Sequence, residues 1–155
     1  MKCTNLPPEL RSILAEVSYA TLATVRPDGM PWNTPVFAYF DEALNMYWAS
    51  WPGNQHSRNI AGNPNIFVVV YRSNAGEGDG LGVYLEMTAR ELTRSAEIAA
   101  ARRIYTTDFG EDLSHEPFKG GCPRRLYKAV PRRVWCNTDA YIRGNFVDKR
   151  REIVA

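Results

Sequence analysis

The sequence predicts a mainly β protein, a small closed or split antiparallel β-barrel with two or three helices packed on it. Three observations lead there. About six stretches rich in β-branched and aromatic residues follow one another with turn residues between them. Helical periodicity is confined to short segments, and no internal repeat is visible. The 155 residues, 45% of them hydrophobic, suit one soluble globular domain spanning residues 1–155.

The first elements are a helix and a β-hairpin. Two prolines at the start of residues 7–17 suit a first helical turn, and apolar residues follow at helical spacing. Ser18–Arg26 then reads as a strand, and Pro27-Asp28-Gly29 supplies turn chemistry. The next strand, Met30–Phe40, is therefore expected to pair back on the first.

The second strand carries apolar residues on both faces. One face can fill the barrel interior, so the other must meet a helix, a cofactor or another subunit. Pro35 cannot donate a ladder hydrogen bond, which predicts that the strand lies at an edge or has a bulge there.

The remaining elements alternate strands with two further helical segments. A short polar helix follows Pro52-Gly53, and Ser95 can cap a helix running to about Thr107. Residues 108–123 are predicted as a long loop, either a lid or poorly ordered. The tail 136–155 reads as polar, with Tyr141, Phe146 and Ile153 as possible anchors. The other predicted strands are Asn45–Ser50, Asn65–Arg72, Leu81–Thr93 and Arg125–Trp135, the last interrupted at Pro131.

Composition argues against several classes of function. Three cysteines without a CxxC pair disfavour a disulfide framework or a zinc site, and His115 lacks the spacing of a metal ligand. A net charge of +2 with scattered basic pairs disfavours nucleic-acid binding. The longest apolar run, Ile66–Tyr71, is too short for a bilayer, and the N-terminus resembles no signal peptide. We expect a cytoplasmic protein with no metal and no membrane contact.

The segment from Asn45 to Asn65 has the features of an anion site. A strand ends in Trp48-Ala49-Ser50, breaks at Pro52-Gly53, and Ser57-Arg58-Asn59 then begin a helical turn. Free backbone N–H groups and the helix dipole favour negative charge there, and an arginine adds a bidentate fork. The segment is therefore predicted to hold the phosphate of a cofactor; the alternative is a capped surface helix with a solvated arginine.

The order of these motifs resembles the pyridoxamine 5′-phosphate oxidase-like, FMN-binding split-barrel family. In that family an aromatic-small-polar triplet ends the third strand, a Ser-Arg-Lys-type segment opens the short helix, and Asn-Pro closes it. Trp48-Ala49-Ser50, Ser57-Arg58-Asn59 and Asn63-Pro64 stand at those places. The resemblance implies a six-stranded antiparallel Greek-key split barrel, as in flavin reductases of this type.

The resemblance also implies a set of cofactor contacts. Ser57 and Arg58 would contact the FMN phosphate, and His56 beside them either donates to a phosphate or flavin oxygen or is a surface histidine. Asn59 stands where the family often has lysine, which removes one positive charge. The ribityl chain and ring would be lined by Trp48, Ala49, Ser50, Asn33, Thr34, Pro35 and Val36, with Trp135 or the tail after it reaching the partner's flavin.

Members of the family are usually homodimers with cofactor sites at the subunit interface, so a homodimer is expected. The expected function is an FMN-dependent oxidoreductase acting on a small-molecule substrate, with the flavin itself accepting the hydride and no catalytic side chain assigned. Two alternatives stay open: a non-enzymatic carrier or sensor of flavin or heme, and a dimeric barrel that has lost its cofactor. Some members bind heme or a deazaflavin.

Overall fold

The computed structural model describes residues 6–76, 80–109, 117–138, 141–147 and 149–154. The helices are α1 (Pro8–Glu16), α2 (Gln55–Gly62) and α3 (Ser95–Phe109). The strands are β1 (Tyr19–Val25), β2 (Pro31–Phe40), β3 (Met46–Ser50), β4 (Asn65–Tyr71), β5 (Gly82–Glu91), β6 (Arg125–Thr138), β7 (Tyr141–Ile142), β8 (Asn145–Phe146) and β9 (Lys149–Val154).

The first six strands form a closed antiparallel barrel. Their order is β3-β2-β1-β4-β5-β6, and pairing of β3 with β6 closes the ring. β1, β2 and β3 form a meander, and β4 returns beside β1, which is a Greek-key arrangement. The predicted fold class is therefore confirmed.

The position of β2 explains its proline and its two apolar faces. β2 pairs with β1 from Pro31 to Phe37 but with β3 only from Ala38 to Phe40, so Pro35 lies on a strand edge, as predicted. Val36 and Ala38 are buried in the barrel core. Tyr39 and the partly buried Phe37 face outward into a second apolar cluster that includes residues of α3. A helix therefore covers this part of the second face.

The prediction that the final strand ends at Trp135 was wrong, although Ile153 of the polar tail packs against the core as a predicted anchor. β6 continues to Thr138, β7 and β8 form a small hairpin, and β9 pairs back on β6. The charged side chains of β9 conceal the strand in the sequence, yet they suit an exposed edge, where charge discourages pairing with other chains. Arg133 and Glu152 form one ion pair between β6 and β9, at 2.7 Å.

Two further predictions concern irregular backbone. The register of β5 against β6 shifts beside Pro131, in agreement with the predicted interruption. Of the predicted loop 108–123, residues 110–116, including His115, lie outside the described residues.

No helix in the described ranges is both long and apolar enough to cross a membrane.

The barrel is closed at its two ends by different helices. Leu10 and Ile13 of α1 pack into the core, and α1 contacts β2, β4 and β5. At the opposite end α2 contacts β1, β2 and β5, and Ile60 enters the same core. The Pro52-Gly53 break and the Asn63-Pro64 stop give α2 its length and hold it across that end.

Candidate functional site

The first turn of α2 is left without a side-chain cap. Asn54 occupies the N-cap position, but its side chain does not cap the helix and donates instead to Ser50 Oγ, at 2.8 Å. The first helical hydrogen bond runs from Arg58 N to Asn54 O, at 3.0 Å. The backbone N–H groups of residues 55–57 therefore have no intrahelical acceptor and can meet an anion.

A buried serine–histidine pair anchors α2 to the end of β3. Ser50 Oγ lies 2.8 Å from His56 Nε2. Ser50 Oγ also accepts from Asn54, so the three side chains form one buried hydrogen-bonded group. Burial lowers the pKa of His56. The pair fixes the start of α2 and leaves His56 Nε2 occupied, so this nitrogen is not a free donor for a ligand.

A second polar chain crosses α2. Arg58 Nη2 donates to Gln55 Oε1 at 2.9 Å, and Gln55 Nε2 donates to Asn59 Oδ1 at 2.8 Å. Asn59 Nδ2 then donates to Thr24 Oγ1 at 2.9 Å, and Thr24 donates to the carbonyl of Trp32 at 3.2 Å. The side chain of Asn59 is thus directed into the barrel end.

A cavity of about 400 Å³ lies between α2 and the adjoining ends of β5 and β6. Ser57 is 3% exposed, lines this cavity, and its Oγ has no hydrogen-bond partner among the described residues. Burial raises the pKa of Tyr127, and the Ser57 hydroxyl beside it opposes the rise. The two groups are close but short of full hydrogen-bond geometry, so Ser57 keeps unused capacity for a ligand. The cavity is lined by Pro52, Ser57, Arg58, Ile60, Ala61, Pro64, Ala89, Arg90, Glu91 and Tyr127.

The charges around the cavity differ in how they are compensated. Arg90 pairs with the carboxylate of Glu97 at 2.5 Å, and Glu91 lies 3.5 Å from Arg125. Arg58 is exposed and donates to neutral oxygens, the Gly53 carbonyl at 2.6 Å and the Gln55 amide. Those bonds orient the guanidinium without neutralising it, so Arg58 brings positive charge to the cavity.

The other predicted contact residues lie apart from this cavity. Trp48 is fully buried in the core and stacks on Tyr127 with ring centroids 5.2 Å apart. Ala49 packs outward in the α3 cluster. Val36 belongs to the core, and Thr34 accepts from the Trp32 indole at 3.0 Å. Trp48 and Val36 are therefore core side chains here.

Three more predicted residues face outward on the barrel. Asn33 and Pro35 are exposed on the part of β2 that lacks a β3 partner. Trp135 stacks on Phe67 with ring centroids 6.1 Å apart. The strand registers place Pro35, Thr21, Val69, Tyr84 and Trp135 in one row across the outer face. Pro35 and Trp135 therefore lie at the two ends of this row.

Sequence reasoning missed part of the cavity. Arg90, Glu91 and Tyr127 come from β5 and β6, and no local pattern in those strands marks them as neighbours of α2. Gln55 was within reach of prediction, because it lies one helical turn before Asn59, where side chains meet.

A sequence profile described as pyridoxamine 5′-phosphate oxidase matches residues 6–136. The chain belongs to this family. The match covers all six barrel strands except the last residues of β6. A search of curated proteins finds no match.

Solved structures of the same fold bear different names. The heme storage protein HutZ from Vibrio cholerae superposes with a TM-score of 0.69 at 17% identity, over 83% of this chain and 91% of that one. A heme binding protein from Mycobacterium smegmatis has a TM-score of 0.67 at 20% identity, covering 93% of this chain. This chain spans 59% of that protein. An FAD-binding protein from Mesorhizobium loti gives 0.60 at 19% identity, over 84% and 94%. Such low identities establish the fold alone.

Proposed function

We propose that this member of the pyridoxamine 5′-phosphate oxidase family binds FMN with its phosphate in the α2 cavity. The observation that carries the proposal is the buried Ser57 hydroxyl, which lines the cavity and has no hydrogen-bond partner of full geometry among the described residues. Native proteins rarely leave such a group unsatisfied without a functional reason. The other donors that a phosphate requires are the uncapped first turn of α2 and Arg58, for which the described residues offer no ion-pair partner.

The ring of the flavin is proposed to lie along the outer edge of β2. Residues 31–37 pair with β1 on one side and have no β3 partner on the other. Exposed backbone N–H and C=O groups at such an edge suit the polar rim of an isoalloxazine ring. In this arrangement Asn33 and Pro35 face the ring, whereas Trp48 supports the site from the core.

The reaction proposed is oxidation or reduction of a small molecule, with bound FMN supplying hydride transfer. The chain's own contribution is to bind the phosphate, orient the ring and exclude water from it. No side chain has to act as an acid or a base.

A flavin or heme carrier is the second candidate, because proteins of this fold include ones named for heme binding and heme storage. Heme iron needs an axial ligand, most often histidine. His56 Nε2 is occupied by Ser50 inside the protein, which argues against His56 in that role. The phosphate donors of α2 favour FMN.

The experiment is a parallel titration of the purified protein with FMN, riboflavin and hemin. We expect FMN to bind more tightly than riboflavin and to be released on denaturation. Tight hemin binding without FMN binding would overturn the proposal in favour of the carrier. Reduction of the FMN-loaded protein by NADH or NADPH, followed by reoxidation with an added acceptor, separates an enzyme from a flavin carrier.

We also propose that the protein is a homodimer that pairs through the outer face of β1 and β4. Tyr19 is 60% exposed and Tyr71 is 50% exposed at this face, next to the partly buried Phe67 and Val69. A contiguous apolar face of this kind marks an interaction site. Tyr19→Lys is expected to shift the sedimenting species from dimer to monomer, whereas Val130→Lys, at another exposed apolar residue, leaves the dimer intact. A monomeric wild type contradicts the proposal.

A further inference from the structure

The polar chain across α2 is continuous and runs in one direction. Each middle group uses both a donor and an acceptor: Gln55 accepts from Arg58 and donates to Asn59, and Asn59 donates to Thr24. The chain ends on the backbone of β2 through Thr24 and the Trp32 carbonyl. It joins the guanidinium at the cavity to the backbone of β2 where that strand pairs with β1.

Helix geometry explains why these side chains meet. Gln55 lies three residues before Arg58 and four before Asn59, the two spacings at which helical side chains are neighbours. Asn59 faces the barrel and is 2% exposed, and it does not belong to the cavity lining. Arg58 faces the solvent at the cavity.

We propose that Asn59 is a positioning residue that fixes Arg58 through Gln55, and that it is not itself a phosphate ligand. The inference rests on the proposed function and specifies how its phosphate site is built. This chain would place the single cation of α2 on the phosphate, with neutral amides holding it in place, where a Ser-Arg-Lys segment would offer two cations.

The physical reason is preorganisation. An exposed arginine has many rotamers, and ordering it when a ligand binds weakens affinity. In this chain the Gly53 carbonyl and the Gln55 amide hold the guanidinium before a ligand arrives. Loss of the Gln55 support is expected to weaken FMN binding by between about twofold and tenfold.

The test is a double-mutant cycle of Gln55→Leu and Arg58→Ala, with FMN and riboflavin dissociation constants measured for all four proteins. Gln55→Leu is expected to weaken FMN binding in the wild-type background and to have no further effect when Arg58 is alanine. Riboflavin, which lacks the phosphate, should bind all four alike. A merely structural role for Gln55 would shift both ligands in both backgrounds, and that result would overturn the inference.

The cycle also separates the two proposals. If Arg58→Ala leaves FMN affinity unchanged, the phosphate site itself is wrong. If Arg58→Ala weakens FMN binding while Gln55→Leu acts equally in both backgrounds, or not at all, only the positioning role is wrong. Gln55 is partly exposed, so its leucine variant is expected to fold.

Asn59→Lys gives an independent test, because the two possible roles of residue 59 predict opposite changes in FMN affinity. If residue 59 were a phosphate ligand, a lysine would add charge and tighten FMN binding. Because the Asn59 side chain is buried against Thr24 and Gln55, we expect a lysine there to break the chain and weaken FMN binding. Tighter FMN binding overturns the inference. Should this variant fail to fold, Asn59→Ala takes the place of Gln55→Leu in the double-mutant cycle, and an equal loss of FMN affinity in both Arg58 backgrounds overturns the inference.

Discussion

The two ends of the barrel are closed by opposite chemistry. At the α1 end, Leu6, Leu10 and Ile13 are buried hydrocarbon side chains of the core. At the α2 end the closing layer is polar. Among the described residues the buried polar side chains are Thr24, Ser50, His56, Ser57 and Asn59, and all five belong to the α2 end.

The contrast indicates that the two ends of the barrel have different roles, one in stability and the other in ligand binding. An apolar closure contributes hydrophobic free energy directly, at about 25 cal/mol per Å² of apolar surface buried. A polar closure contributes little net free energy and is costly wherever a group remains unpaired. A barrel needs only the first kind for stability. The polar end, where the described residues leave the Ser57 hydroxyl without a partner, is therefore the end expected to bind a ligand.

The largest expected effect is on stability and belongs to the α1 end. Ile13 is fully buried, so Ile13→Ala is expected to lower the free energy of unfolding by about 2–5 kcal/mol. FMN affinity should be unchanged at a temperature where the variant is folded. Urea denaturation and FMN titration check the two halves of the prediction. Equal losses in stability and in FMN affinity would show that the two ends do not act separately.

A smaller effect is expected at Ser57, and it should fall on FMN affinity instead of on stability. Removing its hydroxyl in Ser57→Ala should leave apo stability unchanged or raise it slightly, because this group forms no hydrogen bond of full geometry with the described residues. FMN binding should weaken by about 0.5–1.5 kcal/mol, the net contribution of one hydrogen bond. Denaturation of the apo protein and FMN titration are the measurements. A marked loss of apo stability would mean that Ser57 has a structural partner.

The pH dependence of stability should also report the α2 end. Burial lowers the pKa of His56, so the unfolded chain binds a proton there more readily than the folded one. The contribution of His56 is fully present above its unfolded pKa of about 6.5 and is lost as pH falls from there toward its lowered folded pKa. Unfolding free energies of the wild type and of His56→Gln, measured across this range, should differ in slope. His115→Gln serves as the control that keeps His56.

The smallest expected effect concerns the surface arginine near α1. Arg72 forms an exposed ion pair with Glu16 at 2.6 Å. Such pairs contribute little to stability, because solvent screens them. Arg72→Ala should therefore change neither the denaturation midpoint nor FMN affinity by a measurable amount. A clear loss of stability would show that the α1 end depends on this ion pair as well as on its apolar core.

Much of this barrel could be predicted from local sequence. The Pro52-Gly53 break and the Asn63-Pro64 stop fix α2, and Pro35 marks a strand edge correctly. β9 was missed because charged residues on an edge strand have no alternating pattern to detect. Strand pairing within the tail depends on β6, whose continuation beyond Trp135 is a tertiary property.

Only part of the candidate site could be predicted, because the rest of it also depends on tertiary contacts. Ser57 and Arg58 are encoded next to a helix start, so local chemistry marks them. Tyr127 reaches the cavity from a distant strand, which no local pattern reveals. The inward direction of Asn59 was also hidden, because the two-turn helix α2 has polar residues on its buried face.

The most direct test compares two arginines at the two ends of the barrel. FMN dissociation constants are measured for the wild type, Arg58→Ala and Arg72→Ala under one salt condition. We expect Arg58→Ala to weaken FMN binding by more than about 1.5 kcal/mol, the scale of a charge-assisted hydrogen bond, and Arg72→Ala to match the wild type. Unchanged FMN affinity in a folded Arg58→Ala protein would contradict it.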